Sequence, residues 1–515
     1  MSDTKKTAAP TPAASAAPAA SAASAASAAS AASAASTAPN ASAASTAPDA
    51  TAARPAPAAH APAARELTGG FRGVMKVAVP LVIGSSAFTV MQFCDRLFLG
   101  RYSELALQAA LPAGVLSFTL LSFFLAVAGY TSALVAQYYG AGERDRCMPA
   151  TAQGLWWTLL TAPLFLLMPA ISEFALVLAK HSPELVEQEL VYMKWMYASA
   201  LPQGFAWALN GYFAGQSRVK LITIASIAGC AVNIALDYAM VFGVWGFPEW
   251  GIKGAAVATF ISSFVPPLIY FAFIFADKTV RAEGYRKAFA FDCAMFKTLV
   301  RFGVPAGVQI FFDVGAFALF SLMVARHESA ALTASTAVFS INNLAFSPLM
   351  GISQAASIVC GQFKGAKNFA ETMRSGWASL RVGWCYMGLI ALVFLLLPET
   401  LLSQFIPADA AGFDAESYYR TGKLLVLLIT IWGFFDAANI IMIGALKGVG
   451  DTKFVMWYIS LMGWLLWIPA TFLIFHLGGG IIEAWIWMAV YIAVLASGFV
   501  WRWRRGKWFA IHVID

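Results

Sequence analysis

The chain has 515 residues, 60% of them hydrophobic and only 12% charged, with a mean hydropathy of +0.69, far above the roughly 45–50% apolar content of a soluble domain. Its formal charge of +7 reads as Lys and Arg retained on one side of a bilayer rather than as a nucleic-acid surface, since no basic, aromatic-studded soluble segment is present. Six single cysteines (Cys94, Cys147, Cys230, Cys293, Cys360, Cys385) without CxxC spacing, and five histidines (His60, His181, His327, His476, His512) that never pair at ligand spacing, point to neither a disulfide framework nor a metal centre.

Residues 1–65 are an Ala/Ser/Pro-rich tail lacking Leu, Ile, Val and Phe; it cannot build a core and is expected to be disordered. From Val74 onward, apolar stretches of about 20 residues, enough to cross about 30 Å of hydrocarbon, alternate with polar breaks. Twelve spans are predicted, at 74–99, 108–136, 151–178, 193–214, 221–244, 254–276, 302–325, 333–360, 376–398, 424–446, 454–476 and 481–501. The fold class is therefore all-α integral membrane.

Lys and Arg concentrate in every second break, as in Arg144 and Arg146, Arg218 and Lys220, Lys278 to Arg301, Lys364 to Arg381, Lys447 and Lys453, and Arg502 to Lys507. The intervening breaks are acidic, as in Glu184, Glu187, Glu189 and Asp409, Asp414, Glu416. This asymmetry predicts that both termini are cytoplasmic. Trp245, Trp250, Trp501 and Trp508 stand where interface anchors belong.

An internal repeat underlies the spans. Pro80, Gln137, Gly140 and Ala141 recur as Pro305, Gln362, Gly365 and Ala366, each 225 positions later, and Gly211, Gly215 and Lys220 recur as Gly444, Gly448 and Lys453, each 233 later. Two pseudo-symmetric six-helix lobes follow, at 66–290 and 291–515; an even number of spans per lobe gives them parallel topology. The Gly211/Gly215 and Gly444/Gly448 pairs have the small-xxx-small spacing of close helix contacts. Pro80 and Pro305 either end a turn or bend a span.

Charges inside the spans carry the chemistry, because each carboxylate at the bilayer centre costs roughly 2.5–3.5 kcal/mol on insertion scales. Asp95 lies in span 1, Asp237 in span 5, Asp313 in span 7 and Asp436 in span 10. Asn233 shares a helix face with Asp237, and Asn210 adds an amide from span 4. Carboxylate and amide oxygens suit a hard cation such as sodium, and the same carboxylates could take a proton. No GxxxxGK[ST] loop is present, so no ATP engine is expected, and no nucleophile–base or metal constellation marks an enzyme.

With these residues in view, the chain resembles the multidrug and toxic-compound extrusion (MATE) family, in its NorM-like branch. The resemblance rests on Pro80 and on segments 92–100 (QFCDRLFLG), 136–142 (AQYYGAG), 233–237 (NIALD), 254–259 (GAAVAT), Phe312 with Asp313, Phe435 with Asp436, and 446–452 (LKGVGDT). It implies a V-shaped, twelve-helix fold working by alternating access. It maps a cation site onto Asp95, Asn210, Asn233, Asp237 and Thr259, a hinge onto Pro80, and carboxyl-lobe coupling or substrate-binding acids onto Asp313 and Asp436. Asp313 stands where the family more often has glutamate.

The function so expected is efflux of small organic, often cationic, compounds from a bacterial inner membrane, in exchange for sodium ions or protons, by a monomer without cofactor. Phe311, Phe312, Phe434, Phe435 and Trp432 would suit flat cations through cation–π contact. A lipid-linked saccharide flippase of the same superfamily is the alternative, but it would need a basic cavity where these spans are acidic.

Overall fold

A computed structural model describes residues 68–178, 181–325, 330–405 and 414–514; the tail 1–65, with His60, and also His327 and Asp409, lie outside the described residues. Among those described, no strand occurs. Hydrocarbon offers the backbone no water, and a single segment satisfies its own N–H and C=O groups only as a helix.

The amino-terminal helices are α1 (Gly70–Tyr102), α2 (Glu104–Ala141), α3 (Arg144–Phe165 and Met168–Val177), α4 (Pro183–Ala198 and Ala200–Gly215), α5 (Val219–Phe242) and α6 (Gly251–Ala276). The carboxyl-terminal six are α7 (Cys293–Ala325), α8 (Ala330–Gly365), α9 (Phe369–Leu396), α10 (Ala415–Gly448), α11 (Thr452–His476) and α12 (Ile481–Arg504). Ten of them are long and apolar enough to cross a membrane, and α3 makes an eleventh, bent by 49° between Pro163 and Pro169, the usual cause of such a break. The twelfth position belongs to α4. Its first piece carries Glu184, Glu187, Glu189 and Lys194, which dilute its apolar character, so the expected span 193–214 becomes two stacked pieces meeting at Ser199. Helices α7 and α10 begin about two turns before the expected apolar spans, because backbone hydrogen bonding continues where hydropathy has already fallen.

Within the first lobe α5 packs on α1 and α6, and α4 on α2; within the second, α10 packs on α8 and α12. The lobes meet where α1 lies against α8 and α2 against α7. The repeated glycines make the close crossings: Gly211 abuts Thr131, Gly215 the Ala136 backbone, Gly444 Ser353 and Gly448 Ser357. Both repeated prolines lie inside helices, Pro80 in α1 and Pro305 in α7, and the Pro80 carbonyl accepts from Thr223 Oγ1 on α5 at 2.6 Å.

The basic end is tied by polar contacts. Arg502 holds Asp451 through two hydrogen bonds of 2.7 and 3.1 Å, and Lys364 donates to the Trp508 and Phe509 carbonyls at 3.1 and 2.9 Å. Trp508 is fully buried and stacks on Trp503 at 4.7 Å, so it is a core residue and not the interface anchor expected of it; Trp245, Trp250 and Trp501 are exposed. All six cysteines are free, and Cys293 and Cys385 are exposed. His181 Nδ1 lies 2.9 Å from Oε1 of the buried Glu189.

Arg218, at the α4–α5 turn, pairs with Asp277 just beyond α6. Burial pushes the Asp277 carboxyl up, but the Arg218 guanidinium and the Thr279 N–H outweigh it and hold the group below its ordinary value. A carboxyl lowered by folding stabilises above its unfolded pKa and loses that contribution as pH falls through the folded one. Asp277→Asn should therefore cost up to about 1 kcal/mol at pH 7, with melting curves in detergent converging on the parent below about pH 4.

Candidate functional site

Helices α1, α5 and α6 bring four of the five expected cation-site residues together. Asn233 and Asp237, one turn apart on α5, are both fully buried. Asp95 meets them from α1, within reach of the same Asn233 amide as Asp237. The Asn233 amide lies between them. With its nitrogen toward the acids it is 3.2 Å from Asp95 Oδ1 and 3.2 Å from Asp237 Oδ2; turned over, it donates to Thr259 Oγ1 on α6 at 3.3 Å. Asn210, on α4, stands outside this set of bonds, with its Oδ1 buried and without a partner.

Two carboxylates that share one amide donor repel each other, and a proton or a cation between them would relieve that repulsion. Asp237 Oδ1 and Asn210 Oδ1 are buried acceptors with no donor, each a desolvation cost of about 1–3 kcal/mol. Carboxylate, amide and hydroxyl oxygens are the ligands a hard cation takes. Among the described residues no three His, Cys, Asp or Glu side chains converge on one point.

Two neighbours were not singled out from the sequence. Arg96 follows Asp95 on α1, and Tyr192, on the first piece of α4, lies close enough to both carboxylates and to Arg96 to feel their charges. The only available signal was a charge adjoining Asp95 inside a span.

The second lobe holds its own acidic centre. Asp313 on α7 is 2% exposed and Asp436 on α10 is 7% exposed. Gln309, one turn before Asp313, donates to its carboxylate, and Asn439 bonds Asp436. Tyr491 on α12 is near both acids, with its hydroxyl buried and unpartnered. Lys447, expected in a basic break, lies instead in the last turn of α10, where its ammonium is electrostatically coupled to Asp313. Of the aromatic candidates, Trp432 is buried and stacked on Trp485 at 5.1 Å, which removes it from any substrate surface. Phe435 is exposed, and Phe311 and Phe312 form an edge-on pair at 5.7 Å.

The family model described as MatE matches residues 80–239 and again residues 305–473, two copies that begin at the repeated prolines. This chain belongs to the MatE family. It is 27% identical over 438 residues to a probable multidrug resistance protein NorM of Mesorhizobium japonicum, covering 84% of this chain and 93% of that one. It is 26% identical over 404 residues to the multidrug resistance protein PmpM of Pseudomonas aeruginosa, covering 77% and 82%. Among solved structures, a MATE in complex with MaL6 has a TM-score of 0.75 at 17% identity, covering 86% of this chain and 98% of its own. The outward-facing conformation of a multidrug resistance MATE family transporter has a TM-score of 0.75 at 18%, covering 88% and 100%. The MatE repeat places Asp95, Asn233 and Asp237 in its first copy and Asp313 and Asp436 in its second.

The geometry separates two kinds of substitution. Asp237→Asn removes one of two charges in contact and should leave thermal stability in detergent unchanged or raised. Asn233→Leu leaves both carboxylates without their shared donor and should cost about 1–3 kcal/mol. The opposite order of melting temperatures would show that the acids are not held by that amide.

Proposed function

We propose that this MatE protein exports small organic, often cationic, compounds across a bacterial inner membrane by alternating access, driven by inward exchange of sodium ions or protons at Asp95, Asn210, Asn233, Asp237 and Thr259. The relatives' names support multidrug efflux. The observation that supports the coupling is the Asp95 and Asp237 carboxyls gathered about one Asn233 amide, with two buried acceptors without donors beside them.

Basic breaks at one end favour placing both termini in the cytoplasm, with lobes at 66–290 and 291–515. A cation bound by α1 and α5 draws those helices together. Pro80 removes one α1 hydrogen bond, and its carbonyl is held by Thr223 of the same α5, so α1 has a place to bend in response. One charge crossing 100 mV supplies about 2.3 kcal/mol. At about 1.4 kcal/mol per decade, one ion sustains a gradient of roughly fifty-fold in a neutral compound. In the second lobe, Asp313 and Asp436 with Phe311, Phe312, Phe434 and Phe435 offer charge and aromatic faces to a cationic drug, and Lys447 competes with it for Asp313. A flippase for pyrophosphate-linked saccharides would need cations in excess inside the spans, whereas the four aspartates inside the spans outnumber Arg96 and Lys447.

Efflux of ethidium from energised vesicles, driven separately by sodium and pH gradients, tests this reading. Asp95→Asn and Asp237→Asn should each abolish gradient-driven efflux at unchanged expression, and Asp313→Asn should impair some substrates more than others. Wild-type rates in both amino-lobe variants would move the coupling role to Asp313 and Asp436. For orientation, reporter fusions at Lys287 and Arg505 should read cytoplasmic and one at Glu187 periplasmic; a cytoplasmic reading at Glu187 would break the twelve-span topology.

A further inference from the structure

The residues picked out by the internal repeat meet at the basic end of the molecule, and they meet across the lobes. Gln137, on α2, donates through Nε2 to the carbonyl of Gly448 at the end of α10, at 2.8 Å. Gln362, its counterpart 225 positions later on α8, donates to the carbonyl of Gly215 at the end of α4, at 2.7 Å, and to the Ser217 hydroxyl at 2.9 Å. Gly215 and Gly448 are themselves counterparts, 233 positions apart. The second helix of each lobe thus caps the fourth helix of the other, and the pseudo-symmetry that relates the lobes exchanges the two bonds.

The carbonyls chosen are the ones left over. A helix ends with four carbonyls that lack intrahelical donors. In α10 those of Ala445, Leu446 and Lys447 are taken by the N–H groups of Val449, Asp451 and Gly450, and in α4 those of Phe213 and Ala214 by Arg218 and Ser217. Among the described residues, the Gly448 and Gly215 carbonyls receive their donors from the opposite lobe. Both glutamines are buried, 1% and 4% exposed, so neither amide exchanges with solvent in this conformation. The backbones can cross this closely because Gly140 lies on the Gln362 carbonyl and Gly365 on the Gln137 carbonyl; a methyl group at either glycine would run into that oxygen. Tyr130 Oη adds a third cross-lobe bond, to the Lys447 carbonyl at 3.2 Å.

We propose that this reciprocal glutamine clasp is the gate that closes the basic end of the transport pathway, and that both of its bonds must break together for that end to open. The proposal rests on the alternating-access reading above. When the lobes part, water can replace the amide donors at the Gly215 and Gly448 carbonyls, whereas partial opening leaves buried acceptors unsatisfied. Two bonds on either side of one axis, each lost by the same rotation, make the closed and open states distinct.

The test uses the full-length protein in lipid nanodiscs with the six native cysteines replaced and spin labels at K220C and K453C, two exposed, repeat-related positions on opposite lobes. The parent should populate one short distance. Gln137→Leu and Gln362→Leu should each enlarge the long-distance, open-end population by about fivefold, the effect of one ordinary hydrogen bond, and the double variant should enlarge it further. Distributions in all three variants that superimpose on the parent would overturn the proposal. Should a leucine variant fail to fold, S217C with Q362C asks the same question by locking rather than loosening. A short cleavable bis-thiosulfonate linker across the pair should stop ethidium export, and a reductant should restore it; export at the reduced rate while cross-linked would equally overturn the proposal. The distance measurement needs neither substrate nor gradient. A wild-type protein that exports nothing would therefore sink the functional reading while the distances still decide the clasp.

Discussion

The structure is organised around the cost of placing carboxylates in hydrocarbon. Four aspartates inside spans ask for roughly 2.5–3.5 kcal/mol each, and each is answered by a different local device. Asp95 and Asp237 share the Asn233 amide between them. Asp313 has the Gln309 amide and the Lys447 charge, and Asp436 has Asn439. What remains unanswered is local: Asp237 Oδ1, Asn210 Oδ1, Asp436 Oδ1 and the Tyr491 hydroxyl are buried without partners. A half-satisfied polar cluster in a low-dielectric interior is costly, and the atoms left open are mainly acceptors, which a travelling cation or proton would satisfy.

The same helices carry that centre and the parts able to respond to it. Helix α1 holds Asp95 and, four turns earlier, Pro80; α5 holds Asn233 and Asp237 and, three turns before the former, Thr223, which grips the Pro80 carbonyl. On the proposed reading, occupancy of the site and the shape of α1 are joined through one pair of packed helices rather than through a long chain of contacts. Glycines set the other geometric limit. Where Gly444 and Gly448 approach the α8 backbone, and where Gly140 and Gly365 cross between lobes, no side chain fits, so the lobes have few positions in which they can lie together closely packed.

Much of this was legible in the sequence because hydrocarbon makes strong demands on composition. Long apolar runs marked most of the helices, the 225-residue repeat marked the two copies of the MatE model, and Asp95, Asn233 and Asp237 stood out as polar groups where none is cheap. Hydropathy averaging misjudged α3 and α4, where a proline bend and four charged residues divide the helices. Lys447 looked like a loop cation because span ends were drawn at the edge of the apolar run, whereas α10 continues through it. Trp508 resembled an anchor, but its burial depends on α12 turning back so that Lys364 can bind the Trp508 carbonyl. Tyr192, Gln309 and Tyr491 gave no local signal, since each gains its meaning from an acid on a distant helix, and pairings between helices are not written in the periodicity of either one.

The most direct test of the account is charge displacement by purified protein on a solid-supported membrane after a sodium jump and, separately, after a pH jump. The wild type should give a transient for at least one of the two cations, and Asp95→Asn and Asp237→Asn should give none for either. A transient of wild-type size in either variant would contradict the assignment of ion uptake to this pair.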